Sequence, residues 1–407
     1  MRDRKGLDVF LERKLAGHLY LDEKRRFVFQ YDPEWLSDPG AVPLSISLPL
    51  RLEIYDNDIV RPFFANLLPE GEIKRIIARK LGLSEQNDYA LLENIGGECA
   101  GAVSILIPGQ TPGDGKEYRA LTEQELDKII SQLPRRPLLA GEEGIRLSLA
   151  GAQNKLPVCI DQKGDISIPL RGSPSTHILK PPVRDLEGIV ENEAFCMALA
   201  HRIGIPVPKT SMRKNRHVLL VVERYDRKEE GGRIIRLHQE DICQALGILP
   251  EQKYEAEGGP SLKSCADLLK RVSIRPAADL ADLLRWTVFN IVIGNADAHA
   301  KNISILHTGK GPRLAPFYDL VSTRVYPEIN DKYAMRIGGE KRPGKIFDRH
   351  WGRLADDLSL KRPYVAKMRR DLTKKILTEA ELLAEAEIFR ETGVIKRIVG
   401  IIRKEAF

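Results

Sequence analysis

The segment Gly294-Asn-Ala-Asp-Ala-His-Ala-Lys-Asn302 follows the largely apolar segment 281–293. A segment that is apolar almost all round predicts a buried helix, and the glycine predicts the end of that helix. The residues beyond it change abruptly to polar and charged types. We therefore expect a buried helix that delivers a polar loop.

The residue types of this loop suit catalysis at a hydroxyl group. The carboxylate of Asp297 can accept or orient a hydroxyl proton, and the amide oxygen of Asn302 suits a hard cation such as Mg²⁺. Asp297 precedes Asn302 by five positions, the offset between the catalytic aspartate and the metal-binding asparagine of protein kinases. His299 and Lys301 are candidates for supporting the loop and a bound nucleotide. A loop of capping and surface residues has a similar composition, so a second motif is needed.

That second motif is Leu314-Ala-Pro-Phe-Tyr-Asp319, in which an apolar run ends in an aspartate. An aspartate downstream of the asparagine has the order of the second metal-binding residue of kinases, so Asn302 and Asp319 are predicted to bind one Mg²⁺. An isolated aspartate is more often a turn or N-cap residue. The order of the three residues favours the metal site.

Upstream, the segment Leu147-Ser-Leu-Ala-Gly-Ala-Gln-Asn-Lys155 places small residues between extended stretches, which leaves backbone amides free to approach phosphate oxygens. It is neither a Walker A motif nor the Gly-x-Gly-x-x-Gly of ordinary kinases, and a plain hairpin connection stays open as the alternative. Gly151 is the position expected to require a small residue. The candidate nucleotide-binding residues are Ser148, Ala150, Gly151, Ala152, Gln153 and Lys155.

Lys180 ends the predicted strand Thr176-His-Ile-Leu-Lys, and two prolines then stop the strand. In kinases a lysine that follows the phosphate loop pairs with the α and β phosphates of ATP, although a strand-end lysine is usually only solvated. The acidic helix that follows offers Glu191 or Glu193 as an ion-pair partner. Lys180 is therefore predicted to bind ATP phosphates and to act in catalysis.

A candidate hinge for adenine lies at the polar end of the apolar run Leu219-Leu-Val-Val-Glu-Arg-Tyr-Asp226. The predicted contacts are main-chain groups of Glu223, Arg224 and Tyr225. An ordinary strand that leads into the turn 228–232 is at least as good an interpretation without further context.

Composition limits the class of protein. At 407 residues the chain is too long for one small core, and 43% hydrophobic with 30% charged residues of mixed sign is typical of a folded globular protein. The five cysteines form no Cys-x-x-Cys pair, so neither a zinc site nor a disulfide framework is indicated. The first residues lack a signal-peptide pattern, and no apolar run approaches the ~20 residues of a membrane span. The sequence predicts a cytoplasmic protein without membrane contact.

The net charge of +7 is uneven, since residues 340–407 hold 17 Lys and Arg against 11 Asp and Glu. A basic helical surface is the simpler interpretation of this excess, and an anionic partner is the alternative.

The order of patterns predicts an α+β fold with two domains. Short alternating runs near the N-terminus predict an antiparallel sheet, followed by helices and a strand, in a mixed α/β domain over 1–135. A Pro- and Gly-rich stretch at about 108–145 marks the boundary. The second domain, 136–407, is predicted to be mostly helical, with a nucleotide lobe at about 136–228 and a helical lobe at about 229–407.

Further motifs complete a series along the chain. They are Tyr31-Asp-Pro-Glu-Trp-Leu36, Pro43-Leu-Ser-Ile-Ser-Leu-Pro-Leu50, Asn66-Leu-Leu-Pro-Glu-Gly71, Ile95-Gly-Gly-Glu-Cys-Ala-Gly-Ala102, Val190-Glu-Asn-Glu193 and Leu237-His-Gln-Glu-Asp-Ile-Cys-Gln-Ala-Leu-Gly247. Together with the loops described above, this series resembles the HipA-type kinases over nearly the whole chain. One departure is Asn154, where the best-known member of that family has an acidic residue.

The resemblance implies a two-lobed, kinase-like serine/threonine-protein kinase toxin that uses ATP and Mg²⁺. The resemblance further implies that Lys180 holds ATP phosphates and that Asp297 is the catalytic base. It also implies that Asn302 and Asp319 bind the metal. It also implies autophosphorylation of Ser148, which places about two negative charges beside the ATP phosphates and ejects the loop.

The partners that the resemblance implies are a small HipB-like helix-turn-helix antitoxin, operator DNA bound through that antitoxin, and a protein substrate such as glutamyl-tRNA synthetase. Two other functions fit part of the pattern: a small-molecule phosphotransferase of the aminoglycoside or sugar kinase type, and a kinase-shaped corepressor scaffold. The complete set of Lys180, Asp297, Asn302 and Asp319 disfavours a scaffold.

Overall fold

The structure is a computed structural model, and it describes residues 6–113, 116–214 and 216–406. Most of the N-terminal segment that lacks a signal-peptide pattern, residues 1–5, lies outside these ranges. Helices and strands both occur along the chain, and the predicted α+β class is confirmed. Within the described ranges, no helix combines the length and apolar character needed to cross a bilayer.

The strands are β1 (Leu7–Leu11), β2 (Lys14–Leu21), β3 (Phe27–Tyr31), β4 (Val103–Leu106), β5 (Tyr118–Ala120), β6 (Leu156–Ile160), β7 (Ile166–Pro169), β8 (His177–Lys180), β9 (Thr210–Lys214), β10 (Val218–Glu223), β11 (Arg227–Glu230), β12 (Arg233–Arg236), β13 (Gln239–Asp241), β14 (Ser304–Thr308) and β15 (Gly311–Leu314). The α-helices are α1 (Pro33–Ser37), α2 (Asn57–Ala65), α3 (Gly71–Lys80), α4 (Asp88–Ile95), α5 (Glu123–Gln132), α6 (Ile189–Ile203), α7 (Ile242–Leu246), α8 (Leu262–Val272), α9 (Pro276–Ile293), α10 (Asp348–Asp357), α11 (Arg362–Ala384) and α12 (Gly393–Ala406).

The chain forms two compact units. Unit 1 comprises Met1–Lys180 and Glu223–Glu251, and unit 2 comprises Pro181–Val222 and Gln252–Phe407. The division into 1–135 and 136–407 that the composition indicates stays a prediction.

Unit 1 contains two larger antiparallel sheets and the hairpin β11–β12. The first has the strand order β3-β2-β1-β4, and its buried face carries Leu7, Val9, Leu19 and Phe29. In the second, β5, β7, β6 and β8 follow in that order, so Lys180 stands at the end of a paired strand. The alternation of apolar and polar residues in these short segments explains why they form half-buried strands.

A buried ion cluster joins distant segments of unit 1. The guanidinium of Arg224 contacts Glu98 Oε1 at 3.0 Å and Asp226 Oδ2 at 2.7 Å, and Arg227 lies 2.7 Å from Glu98 Oε1. Gly101 N donates to Asp226 Oδ2 over 2.7 Å. Because these charges are shielded from water, each needs its partner. The cluster explains why the Ile95–Ala102 motif and the end of β10 contain charged residues at buried positions.

Unit 2 is built around α9, which packs against α8, α11 and α12. Both polar and apolar side chains of α9 are buried over most of its length, as the nearly uniform apolar pattern predicts. Its C-terminal end leads directly into the polar loop. The part of the chain that was expected to form the helical lobe, about 229–407, also contains strands, and β14 and β15 form an antiparallel hairpin.

Candidate active site

The end of α9 fixes where the predicted catalytic loop, residues 294–302, begins. Gly294 adopts a left-handed conformation with φ of 72°, which an L side chain rarely occupies. A Cβ at this position would lie 2.9 Å from Ile401 and 3.3 Å from Arg324. Both the conformation and the space therefore require glycine here.

The loop beyond Gly294 is held by side-chain amides. Asn295 Nδ2 donates to Asn290 Oδ1 over 2.8 Å, and Asn295 Oδ1 accepts from the backbone amide of Asp297 at 3.1 Å. Ala296 N donates to Thr323 Oγ1 over 2.7 Å. These bonds attach the loop to α9 on one side and to the segment after Asp319 on the other. Asp297 itself is exposed.

His299 and Asn302 close a single 3₁₀ turn over Ala300–Asn302. The backbone amide of His299 donates to Asn302 Oδ1 over 3.0 Å. His299, Lys301 and Asn302 are all buried, each with 6% of its surface exposed. The turn therefore holds the Asn302 side chain rigidly, which favours a ligand-binding role over a surface cap.

Asn302 and Asp319 are brought together although 17 positions separate them. Asn302 Nδ2 donates to Asp319 Oδ2 over 3.1 Å. The hydroxyl of Tyr318 donates to the Lys301 carbonyl oxygen over 2.6 Å and lies 2.8 Å from Ser304 Oγ. Hairpin β14–β15 thus brings the chain back to the catalytic loop. The Tyr318 hydroxyl links the segment after the hairpin to Lys301 in that loop.

Asp319 has a strained backbone. Its φ is 61°, a left-handed value that is uncommon for a residue other than glycine, although aspartate tolerates it better than most. Asn192 on α6 holds the following segment, because its Oδ1 accepts from Ser322 N at 2.8 Å and its Nδ2 donates to Ser322 O over 3.0 Å. Strain of this kind costs roughly 1–3 kcal/mol and is found mainly at functional sites.

The donor set fits a magnesium ion that is shared with a phosphate ligand. A carboxylate oxygen of Asp319 and the amide oxygen of Asn302 are the hard ligands that Mg²⁺ takes, and a carbonyl oxygen that accepts one hydrogen bond keeps a second lone pair. No group of three or more His, Cys, Asp or Glu residues could hold a metal within the described ranges. Mg²⁺ is commonly bound through one or two protein oxygens, with phosphates and water as its other ligands, and the pair of Asn302 and Asp319 suits that chemistry.

The predicted phosphate loop lies in unit 1 and is packed against residues 67–70. Ser148 Oγ donates to the Leu67 carbonyl oxygen over 2.8 Å, and Ser148 is fully buried. Glu70 N donates to the Gly151 carbonyl oxygen over 3.2 Å. A phosphate can be transferred to Ser148 only after its hydroxyl has left this position.

Gly151 is the residue of the loop that cannot be replaced without strain. Its φ is 108°, and a Cβ would lie 2.7 Å from Lys155 Nζ, which itself donates to the Ala150 carbonyl oxygen over 2.5 Å. The expectation of a small residue at this position therefore has a structural reason. Ala152 is exposed and Gln153 is half-buried, so the tip of the loop can meet a ligand.

Lys180 and the hinge residues also belong to unit 1. Lys180 is buried, with 8% of its surface exposed. In the candidate hinge, the Arg224 amide donates to the Thr176 carbonyl oxygen over 2.8 Å, and its guanidinium lies in the buried ion cluster. The main-chain contact of the hinge with adenine stays a prediction. Tyr225 donates its hydroxyl to Gln239 Oε1, and Glu223 is half-buried.

Two residues that hold the site were not identified from the sequence. Asn192 lies between the two glutamates that were considered as partners of Lys180, but its bonds go to Ser322. Tyr254 donates its hydroxyl to Asp297 Oδ1 over 2.7 Å. Neither contact could be deduced from spacing, because each joins residues more than 40 positions apart. The asparagine within Val190-Glu-Asn-Glu193 was the one available signal, since a buried amide in an apolar helix needs a partner.

A catalytic loop with an aspartate and an asparagine five residues apart, a second aspartate bonded to that asparagine and a separate glycine-containing loop are together typical of a phosphotransferase of the kinase class. Comparison with known proteins identifies the family. The model of the HipA-like C-terminal domain matches residues 147–380, and that of the HipA N-terminal domain matches residues 7–106.

The chain is 45% identical over 386 residues to the candidate kinase Y4mE of Sinorhizobium fredii, which covers 93% of this chain and 91% of that protein. It is 32% identical over 371 residues to the serine/threonine-protein kinase toxin HipA of Shewanella oneidensis. This match covers 88% of this chain and 84% of that protein. The solved complex of HipA, HipB and operator DNA from Shewanella oneidensis MR-1 matches with a TM-score of 0.85 and 29% identity, over 98% of this chain and 96% of that one. The chain belongs to the HipA-like serine/threonine-protein kinase toxin family, and it is an enzyme of the kinase class.

Proposed function

We propose that this protein transfers the γ-phosphate of ATP to a serine or threonine hydroxyl, with Asp297 as the base and with Asn302 and Asp319 as the magnesium ligands. The observation that carries the proposal is the 3.1 Å bond between Asn302 and Asp319, a few residues from an exposed Asp297. Family membership implies ATP and a metal, and the oxygen donors of Asn302 and Asp319 suit Mg²⁺. Bound magnesium would neutralise charge on the phosphates.

The reaction follows from the residues present. A substrate hydroxyl that donates to the Asp297 carboxylate passes its proton to that group while its oxygen bonds to the γ-phosphorus. The bond from the γ-phosphorus to the β,γ-bridging oxygen breaks, and ADP leaves with that oxygen. Lys180 and the backbone amides of residues 148–155 are proposed to hold the remaining phosphates, with His299 and Lys301 supporting the loop that carries the base.

Ser148 is proposed as the site of autophosphorylation. It is fully buried and bonded to Leu67, so modification requires the loop to open. A phosphoserine carries about two negative charges at neutral pH, which would repel ATP phosphates and prevent the loop from returning to its buried position. The modified enzyme would then be inactive.

The test is transfer of labelled phosphate from ATP, with Mg²⁺ present, by the wild type and by Asp297→Ala, with the phosphosite identified by mass spectrometry. Label at Ser148 that disappears in the variant supports both assignments. Label that persists in the variant rules out Asp297 as the base. An unlabelled wild type, with Ser148 shown to be unmodified beforehand, contradicts the proposed autophosphorylation.

We further propose a HipB-like antitoxin and operator DNA as partners. The support is the likeness to the Shewanella complex, which contains both. A stripe of basic residues on α11 adds to it: Lys367, Arg370 and Lys374 are exposed, recur at the spacing of one helix face and make no salt bridge with any described residue. Such a stripe suits contacts to DNA phosphates beside the antitoxin.

The proposed substrate is a cytosolic protein, with glutamyl-tRNA synthetase as the first to assay because the family resemblance implies it. Incubation of the purified enzyme with that synthetase and with other aminoacyl-tRNA synthetases, followed by mass spectrometry, tests this choice. Phosphate on the glutamyl enzyme alone supports it, and phosphate on another synthetase replaces it.

A further inference from the structure

Tyr254 lies directly against the catalytic loop. Its hydroxyl donates to Asp297 Oδ1 over 2.7 Å, and its ring meets the imidazole of His299 edge to face, with 5.3 Å between centroids. The residue belongs to none of the motifs of a kinase site discussed above. It is nevertheless the one side chain among the described residues that bonds to the carboxylate of Asp297.

The turn that carries Tyr254 is closed on itself. Gly259 N donates to the Tyr254 carbonyl oxygen over 3.0 Å. A Cβ at Gly259 would lie 2.0 Å from the Gln252 carbonyl oxygen and 2.8 Å from that of Tyr254, so no side chain fits there. The turn from 252 to 259 is therefore compact, and it fixes the direction in which Tyr254 leaves the backbone.

One segment attaches both this turn and the catalytic loop. Ala334 N donates to the Ala296 carbonyl oxygen over 2.9 Å, and Glu255 N donates to the Ala334 carbonyl oxygen over 3.3 Å. The carboxylate of Glu255 also accepts from Arg336 N at 2.6 Å. Since the backbones before Asp297 and after Tyr254 are bonded to the same segment, the contact between their side chains is set by the fold.

This contact has a consequence for the reaction. A carboxylate has two oxygens that can accept hydrogen bonds, and an exposed one rotates freely unless one of them is held. Tyr254 holds Oδ1, while Oδ2 of Asp297 accepts no hydrogen bond from any residue in the described part of the chain. A carboxylate base that is already held in the reactive orientation reacts faster than one that must first rotate into that orientation.

We propose that Tyr254 is a positioning residue for phosphoryl transfer, whose hydroxyl holds Oδ1 of Asp297 and leaves Oδ2 to receive the proton of the substrate hydroxyl. The inference rests on the proposed role of Asp297 as the base. Tyr254 does not itself touch the reacting atoms. Its hydroxyl acts on the rate of the chemical step and not on the binding of ATP.

The experiment compares Tyr254→Phe, Tyr254→Leu, Asp297→Ala and the control Tyr364→Phe in the full-length chain. Tyr364 is 40% exposed on α11 and makes no hydrogen bond with a described residue, so its variant removes a hydroxyl without removing a contact. Rates of label transfer from ATP are measured over a range of ATP concentrations, together with the melting temperature of each variant.

Loss of one hydrogen bond to a charged group should lower kcat of Tyr254→Phe about tenfold and leave KM for ATP within about twofold of the wild type. Tyr254→Leu should have the same kcat as Tyr254→Phe, because the hydroxyl is the group that holds Asp297. A wild-type rate for Tyr254→Phe with a slow Tyr254→Leu would show that only ring packing matters, and would overturn the inference. An unchanged kcat with a raised KM would do the same.

The same measurements distinguish a failure of the proposed function from a failure of the positioning role of Tyr254. If Asp297→Ala keeps the wild-type rate, or if the wild type transfers no phosphate, Asp297 is not the base and both proposals fall. If Asp297→Ala is inactive while Tyr254→Phe is fully active, only the positioning role falls. Both proposals are supported if kcat falls only in the Tyr254 variants and Asp297→Ala. The melting temperature of Tyr254→Phe should then be unchanged, and Tyr364→Phe should have the wild-type rate.

Discussion

The side-chain amide of Asn302 donates to Oδ2 of Asp319 over 3.1 Å, so the end of the catalytic loop and the end of the segment after β15 meet at one point. We expect Asp319→Ala to lower the rate of phosphate transfer at least about 100-fold, because it removes the one carboxylate of the proposed metal pair. Glu328→Ala removes an exposed carboxylate from the same unit and should leave the rate unchanged. Radiolabel transfer at saturating Mg²⁺ measures both, and a slow Glu328→Ala would point to a general loss of negative charge instead.

Asn192→Ala should affect both stability and catalysis. The variant leaves the backbone N–H and C=O of buried Ser322 without their partners, which costs roughly 2–3 kcal/mol of unfolding free energy. Because the same segment carries Asp319, kcat should fall as well. Urea unfolding measures the first effect and label transfer the second. Full activity in a destabilised variant would show that Asn192 supports the fold alone.

Gly151→Ala should weaken ATP binding. The left-handed φ of 108° costs an alanine about 1–2 kcal/mol, and its Cβ would press on Lys155. The dissociation constant for ATP with Mg²⁺, measured by calorimetry, should rise about tenfold. Gly164→Ala is the matched control, since Gly164 has a φ of 87° in the β6–β7 turn with nothing near its Cβ. Gly164→Ala should lose stability but bind ATP with wild-type affinity. Equal losses of affinity in the two variants would show that the effect does not depend on the position of Gly151 in the phosphate loop.

Glu98→Gln should destabilise unit 1 strongly near neutral pH. Burial by itself raises the pKa of Glu98, but the guanidinium groups of Arg224 and Arg227 outweigh burial and lower the pKa below its ordinary value of 4.5. The charge therefore stabilises the fold above pH 4.5, and this contribution is lost as the pH falls below that value. At pH 7 the variant should lose about 3–5 kcal/mol, because two buried guanidinium groups lose a charged partner.

The pH dependence of unfolding checks the assignment of Glu98. The difference between the wild type and Glu98→Gln should shrink as the pH is lowered below 4.5 in denaturant titrations. Glu230→Gln breaks an exposed pair with Lys228 and should cost less than about 1 kcal/mol at any pH. A pH-independent loss in Glu98→Gln would assign the effect to packing.

Replacement of Lys367, Arg370 and Lys374 by alanine should weaken the proposed DNA complex and leave phosphate transfer unchanged. Each phosphate contact that is lost should reduce the slope of log affinity against log salt by about 0.9. Alanine at Arg79, Lys80 and Lys128 removes the same charge from exposed positions elsewhere. Electrophoretic shifts of operator DNA with the antitoxin present, over a range of salt, compare the two triple variants. Equal losses would mean that only net charge matters.

Local patterns predicted much of this molecule. The N-terminal strands, the acidic helix α6 and the buried α9 follow from alternation and from helical periodicity, because those signals depend on near neighbours along the chain. The motif series predicted the family, which the comparisons confirm. Hairpin β14–β15 was not predicted, since four- and five-residue strands among helices carry little periodic signal.

The class of fold, the family and the residue types available for catalysis could therefore be predicted from the sequence. Which of those residues meet depends on the tertiary structure. Asn302 bonds to Asp319, Tyr254 to Asp297 and Asn192 to Ser322, and the Arg224 guanidinium pairs with Glu98 in a buried ion cluster. The physical reason is that a hydrogen bond or ion pair between distant residues depends on how whole helices and hairpins pack, and spacing along the chain carries no record of that packing.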